Sequence, residues 1–258
     1  MFAKAFSAEQ FKFETLEIEI VNNGKFIYAK EGKALSADGN LEIEAANFEY
    51  DKNLKILKAF NGYAFYRNNS LKIDFDEMIF DQNSSILTAK ENVKIYEQQK
   101  DLLIETDLIV YDKKINTIMS LTKSILKDSL NNEIISEKFE YNLNDSILKI
   151  DDANLTDFEN NNFKIKLAYI NTNSNKLYGK DIEANLNNSS FNKDNEPRLK
   201  GKSIIYENNT SEITKGIFTT CKRRDSCPPW QLSAKKIQHD KKNKIVKYCS
   251  GDTLGTQN

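Results

Sequence analysis

Few residues of this chain have the type and spacing for chemistry, and they gather near its C-terminal end: Cys221, Cys227, His239 and Cys249. Together they make a nominal Cys3His set, since thiolate and imidazole are the ligands of a tetrahedral zinc site. Their separations of five, eleven and nine residues match no common zinc finger, so no metal is expected. Cys221 and Cys227 could instead close a small disulfide loop in an oxidising compartment, and the odd thiol points to a partner elsewhere. His239 lies between Gln238 and the run Asp240-Lys241-Lys242, and reads as a solvated residue. The acidic pairs Asp74/Asp76 and Asp151/Asp152 have strand or turn spacing, not that of an acid–base couple. No glycine-rich phosphate loop or nucleophile elbow occurs. Neither an enzyme nor a bound cofactor is expected.

The elements that must position these residues are strands. In Leu41–Asp51 apolar side chains fall at 41, 43 and 45, then the phase slips by one and resumes at 48 and 50. Alternation predicts an extended strand with one buried face. The slip predicts a bulge or corner, because an uncompensated extra residue would turn every later side chain outward. The phrase returns at Leu71, Ile73, Phe75, Met78 and Phe80, and at Leu102, Ile104, Thr106, Ile109 and Tyr111. It precedes at Phe11, Phe13, Thr15, Ile18 and Ile20, and follows at Ile134, Ser136, Phe139 and Tyr141, then, more worn, at Phe163, Ile165, Leu167 and Ile170. Between copies runs a second phrase: Ile27, Ala29 and Leu35 around Gly32; Leu57, Ala59, Tyr63 and Phe65 around Gly62; Leu87, Ala89, Val93 and Ile95 around Asn92. Gly or Asn at that place predicts a left-handed backbone position. Asp or Asn after the aromatics at 50, 80, 111 and 141 should open each turn. The unit is two strands, and the fold class is all-β: repeated antiparallel strands over 9–218 forming a bent two-sheet array. A polar break is expected at 186–197, with strands resuming at Leu199–Tyr206 and Ile213–Thr219.

Composition narrows the partners. Hydrophobic residues make up 39% of the chain and mean hydropathy is −0.62, so the core must be thin. Net charge is −1, with 37 basic and 38 acidic residues interleaved, which argues against nucleic acid. No apolar run is long enough for a membrane helix. Ala5-Phe6-Ser7 before Ala8-Glu9 resembles the tail of a signal-peptidase site, so residues 1–8 are either a signal remnant or a frayed end. The inward set is bulky and apolar: Phe13, Ile43, Phe48, Tyr63, Phe65, Ile73, Phe75, Val93, Ile95 and Ile104. Such a stripe normally fills its own core, as in a structural or adhesive β solenoid. A carbohydrate-active β-helix would also stack short strands, but with a shorter period and more than this chain's nine glycines. Because the strip is nearly unbroken, a bent array could also leave it open as a groove suited to an acyl chain. Periodicity alone leaves both readings standing.

One segment carries a resemblance. Thr219-Thr220-Cys221 through Cys227-Pro228-Pro229-Trp230-Gln231-Leu232, with Ala234, Ile237 and His239-Asp240, resembles the junction of the LPS-assembly outer-membrane protein family (organic solvent tolerance, LptD). Ala29-Lys30-Glu31-Gly32 and Ala89-Lys90-Glu91-Asn92 resemble strands of that family's periplasmic domain. The resemblance implies a periplasmic β jellyroll, associated with the outer membrane, whose groove (Ile43, Phe48, Tyr63, Phe65, Ile73, Phe75, Val93, Ile95 and Ile104) receives the acyl chains of lipopolysaccharide. It implies three partners: a bridge protein of the same fold joined by edge-strand addition, an outer-membrane barrel, and the barrel's plug lipoprotein. It matches Cys221 to a junction cysteine that pairs with the barrel, Cys227 being its neighbour in the motif or a second partner. Residues 219–248 would be the junction, and 249–258 lose the pattern, with no barrel following.

Overall fold

The computed structural model describes residues 11–66, 70–187, 195–207, 210–222, 230–240, 243, 245–249 and 254–257. The possible signal remnant, Cys227 and most of the break at 186–197 lie outside them. The chain is all-β and forms two compact units, Met1–Ser124 and Ile125–Asn258. Unit 1 is a meander of β1 (Lys12–Val21), β2 (Phe26–Leu35), β3 (Leu41–Asp51), β4 (Ile56–Tyr66), β5 (Leu71–Asp81), β6 (Ile86–Glu97), β7 (Leu102–Asp112) and the short β8 (Thr117–Ser120). Each pairs antiparallel with the next. A short β9 (Ser124–Lys127) falls at the division. Unit 2 holds β10 (Glu133–Ser136), β11 (Lys138–Asn142), β12 (Ile147–Thr156), β13 (Asn162–Asn171), β14 (Lys176–Asn185), β15 (Arg198–Glu207), β16 (Thr210–Thr219), β17 (Leu232–Asp240), β18 (Ile245–Cys249) and β19 (Leu254–Gln257). From β12 onward these too pair antiparallel in succession. Residues 249–258, expected to lose the pattern, thus still supply a strand. A three-residue 3-10 turn, Gln98–Lys100, is the helical element among the described residues.

The long strands bend at the middle, and the backbone shows how. Even-numbered strands carry a left-handed residue there: Glu31, Asn61, Glu91, Asp152, Asp181 and Lys215. In the first three this is one residue earlier than expected from Gly32, Gly62 and Asn92, although Gly32 and Asn92 also have positive φ. Gly62 has a different task, since a methyl there would lie 2.0 Å from Glu44 O and 2.7 Å from Ala45 Cα. The corner closes only because that position has no side chain. Asp51, Asp81, Asp112 and Asn142 open their turns as expected, and Asn171 does the same one repeat on, each side-chain Oδ1 accepting from the backbone N–H two residues on at 2.8–3.0 Å. Neighbouring turns then join each other, Gln82 N–H donating to Lys55 O at 3.0 Å and Lys113 N–H to Ser85 O at 3.0 Å.

Candidate functional site

Each bent strand of unit 1 contributes one half to each of two walls, and the register lines up their inward side chains in rows. In the first wall Phe13, Ala34, Ile43, Ala64, Ile73, Ile95 and Ile104 lie side by side. In the second, one row is Ile18, Ala29, Phe48, Ala59, Met78, Ala89 and Ile109, and the next is Ile20, Ile27, Tyr50, Leu57, Phe80, Leu87 and Tyr111. In the first two of these rows large residues on odd strands alternate with alanine on even strands, Ile95 excepted, so facing rows can interdigitate. The three rows contain no charged side chain. At about 4.8 Å between strands they extend for roughly 29 Å.

Most of the expected lining residues meet in these rows or beside them. Ile43, Phe48, Ile73, Phe75, Val93, Ile95 and Ile104 are each 0–3% exposed. Tyr63 and Phe65 are corrected: they stand half-buried on the outer face, while Ala64 and Tyr66 point inward. Leu35 is likewise outward, with Ala34 in its place. The reason is one residue. Strand β6 has 12 residues and a bulge against each neighbour, whereas β4 has 11. Aligning 63 and 65 with 93 and 95 therefore carries the wrong parity back into β4. On the outer face Tyr63 donates to Glu44 Oε2 at 2.8 Å, which raises its pKa, and Lys72 Nζ lies 4.5 Å from the Tyr63 ring.

The two walls of unit 1 also touch along their rims. Phe11 packs edge-on against Tyr50 and Phe80 at 5.9 and 6.0 Å between ring centres, and Tyr66 meets Tyr111 at 4.9 Å. Beyond the rings, Lys113 Nζ pairs with Asp38 Oδ2 at 3.3 Å. Burial alone would raise the Asp38 pKa, but donation from Ser36 Oγ, the Asn40 backbone N–H and the Asn40 amide, with the Lys113 charge, lowers it to about 2. At the β1 end the inner face lies open, with Ile18 53% and Ile20 56% exposed. Deeper in, apolar lining gives way to a buried hydroxyl cluster: Thr106 Oγ1 lies 3.1 Å from Ser120 Oγ, 2.9 Å from Thr122 Oγ1 and 3.0 Å from Ser124 Oγ. Thr106 takes the inward position that the repeat predicts; the hydroxyls around it sit outside the repeat pattern.

In unit 2 the inward pattern continues through Ile165 and Ala168, Gly179 and Ile182, Leu199 and Ile204, Ile213 and Gly216. Here Ile170, Leu177 and Tyr206 are only half-buried, so this rim is more open. In the segment from residue 219, Thr219 Oγ1 donates to Trp230 O at 2.8 Å and accepts from Cys221 N–H at 3.2 Å, while the Phe218 and Trp230 rings are 6.1 Å apart. The Cys221 thiol points to Trp230 O at 3.6 Å. Cys249 ends β18 opposite Lys236. His239 is in β17, with its side chain outside the described residues. Among the described residues no group of three or more His, Cys, Asp or Glu is placed to hold a metal, and no helix is long and apolar enough to cross a membrane.

No family model matches the chain, and no curated protein does. One solved structure with a similar course is the crystal structure of LptH from Pseudomonas aeruginosa, described as the LptA homologous periplasmic component of the conserved lipopolysaccharide transport device. The match has 12% identity and a TM-score of 0.36, and covers 41% of this chain and 78% of that one.

Proposed function

We propose that this chain is a periplasmic lipid conduit, a bent β array whose inner face takes the acyl chains of lipopolysaccharide and leaves the sugars outside. The observation that carries this reading is the set of three uncharged rows running across β1–β7 and lying open at Ile18 and Ile20. Each methylene moved from water onto such a surface contributes about 0.8 kcal/mol, so a single acyl chain is held without a chemical step. No residue is assigned to catalysis.

The finer reading rests on the junction residues Thr219–Leu232 and their resemblance to the LPS-assembly family. On it, the chain works beside an outer-membrane barrel and its plug lipoprotein, with Cys221 as the cysteine bonded to the barrel. A bridge protein of the same fold would add a strand to β1, which among the described residues pairs along β2 and leaves its other edge without a ladder. The closed-core structural array is the second reading, favoured by the burial of Ile43, Ile73 and Ile95 in unit 1.

Photocrosslinking to lipopolysaccharide separates the two. With the photoreactive side chain at Ile95, and at outward Lys94 as control, a conduit yields a lipid adduct at 95 and none at 94. Folded protein with adducts at neither place, nor at Ile170 of the more open unit, would leave the structural array as the function.

A further inference from the structure

We propose that the rim of unit 1 is a latched gate, in which the Asp38–Lys113 pair and the aromatic contacts beneath it hold the two walls together until lipid enters. The inference rests on the conduit reading and adds how the inner face is controlled. Asp38 belongs to the turn between β2 and β3, at one rim; Lys113 belongs to the turn between β7 and β8, at the other. Seventy-five residues apart in sequence, they are joined by an ion pair whose side chains are 32% and 26% exposed. Below them Tyr66 and Tyr111 meet from opposite rims, and nearer β1 so do Phe11, Tyr50 and Phe80.

The chemistry of this seam suits reversible closure. Parting the rims would expose five rings that are now 2–7% exposed, and that cost keeps the walls together without lipid; acyl chains entering between the walls would cover the same rings again. The ion pair above them, about a third exposed, can hydrate as it breaks, so it adds only a small further restraint. Asp38 is also held ready, its carboxylate fixed by Ser36 and Asn40 whether or not Lys113 is in place. The more open rim of unit 2, with Ile170, Leu177 and Tyr206 half-buried, shows that the same strand pattern does not itself force closure.

The test follows the rate at which a photoreactive side chain at Ile95 captures hexa-acylated lipopolysaccharide, in Lys113→Glu, Lys113→Met and Lys113→Arg. Circular dichroism reports folding in each. A latch of this exposure should restrain entry by up to about fivefold. Lys113→Glu and Lys113→Met should therefore capture lipid faster than the parent, and Lys113→Arg, which keeps the pair with Asp38, should stay at the parent rate. If Lys113→Glu fails to fold, Lys113→Met decides. Equal rates in folded parent and variants would overturn the latch while leaving the conduit standing. No capture by any of them, with the adduct also missing at Ile170, would remove the conduit and the latch with it.

Discussion

At the scale of single residues, Asp38 and the hydroxyls around Thr106 are the polar groups whose removal should be felt. The Asp38 carboxyl is held at about 2, below its usual value of 3.8, so it stabilises the folded state as an anion. That contribution is complete above about pH 4 and is lost as pH falls through about 2, because the unfolded chain then binds the proton more readily. Asp38→Asn should therefore lower stability at pH 7 by on the order of 1 kcal/mol, after allowance for solvent screening, and the gap between parent and variant should close toward pH 2. Urea unfolding of both proteins across that range checks it; a gap that stays constant would mean that charge plays no part and that only the second acceptor oxygen, which Asn lacks, is missed. Thr106→Val keeps the shape but strands the Ser124 hydroxyl, which donates to Thr106 Oγ1 at 3.0 Å in a fully buried site. A cost of about 1–2 kcal/mol is expected in the same measurement. Ser124 can turn its hydrogen to Thr122 O, 2.9 Å away, and a cost near zero would show that it does.

At the scale of the strand pair, the corner is the feature on which the bend depends. Gly62→Ala would press a methyl into the backbone of β3, at 2.0 Å from Glu44 O, where no side chain can yield. Destabilisation of about 3 kcal/mol is expected, the upper end of overpacking. Gly179→Ala, where the nearest atoms are methyl groups of Ile165 and Ile204 at 2.8 Å, should cost less because those side chains can rotate. Thermal melts of the two variants compare them directly, and equal losses would mean the β4 corner has more freedom than its backbone suggests. The odd strands were legible in the sequence because their phase slip is constant: 45 to 48, 75 to 78 and 106 to 109. Parity in the even strands was not, because inward Gly62 carries no hydrophobic mark and the extra residue of β6 is visible only against its neighbours' register. Nor could periodicity show that Phe11, Tyr50 and Phe80 meet across the rim, since alternation specifies a face and not what that face touches. The hydroxyl cluster left one trace, a Thr at 106 where Phe75 stands one repeat before.

At the scale of the whole molecule, stability in a strand array passes mainly through the ladders between neighbouring strands, to which unit 1 adds its rim contacts. Central strands have support on both sides. β1 has a ladder with β2 alone among the described residues; Phe13 at its start packs on Phe48 and Tyr50, but the rest of the strand leaves Leu16, Ile18 and Ile20 exposed at 80%, 53% and 56%. The ion pairs that lace the outer faces do not redress this. Lys30–Glu17, which ties β2 to β1, has side chains 64% and 70% exposed, and a pair so open to solvent contributes little. Amide exchange should therefore be graded, with β4–β6 the slowest in unit 1 and β1 faster by about tenfold or more, as expected where local opening is cheaper than global unfolding. Saturating lipopolysaccharide should slow exchange in β1 more than in β5, because Ile18 and Ile20 have exposed area left to bury and Ile73 and Phe80 have almost none. Uniform exchange across β1–β7 without lipid would mean that the array opens only as a block. Slowing confined to β5 would place the lipid somewhere other than the open end.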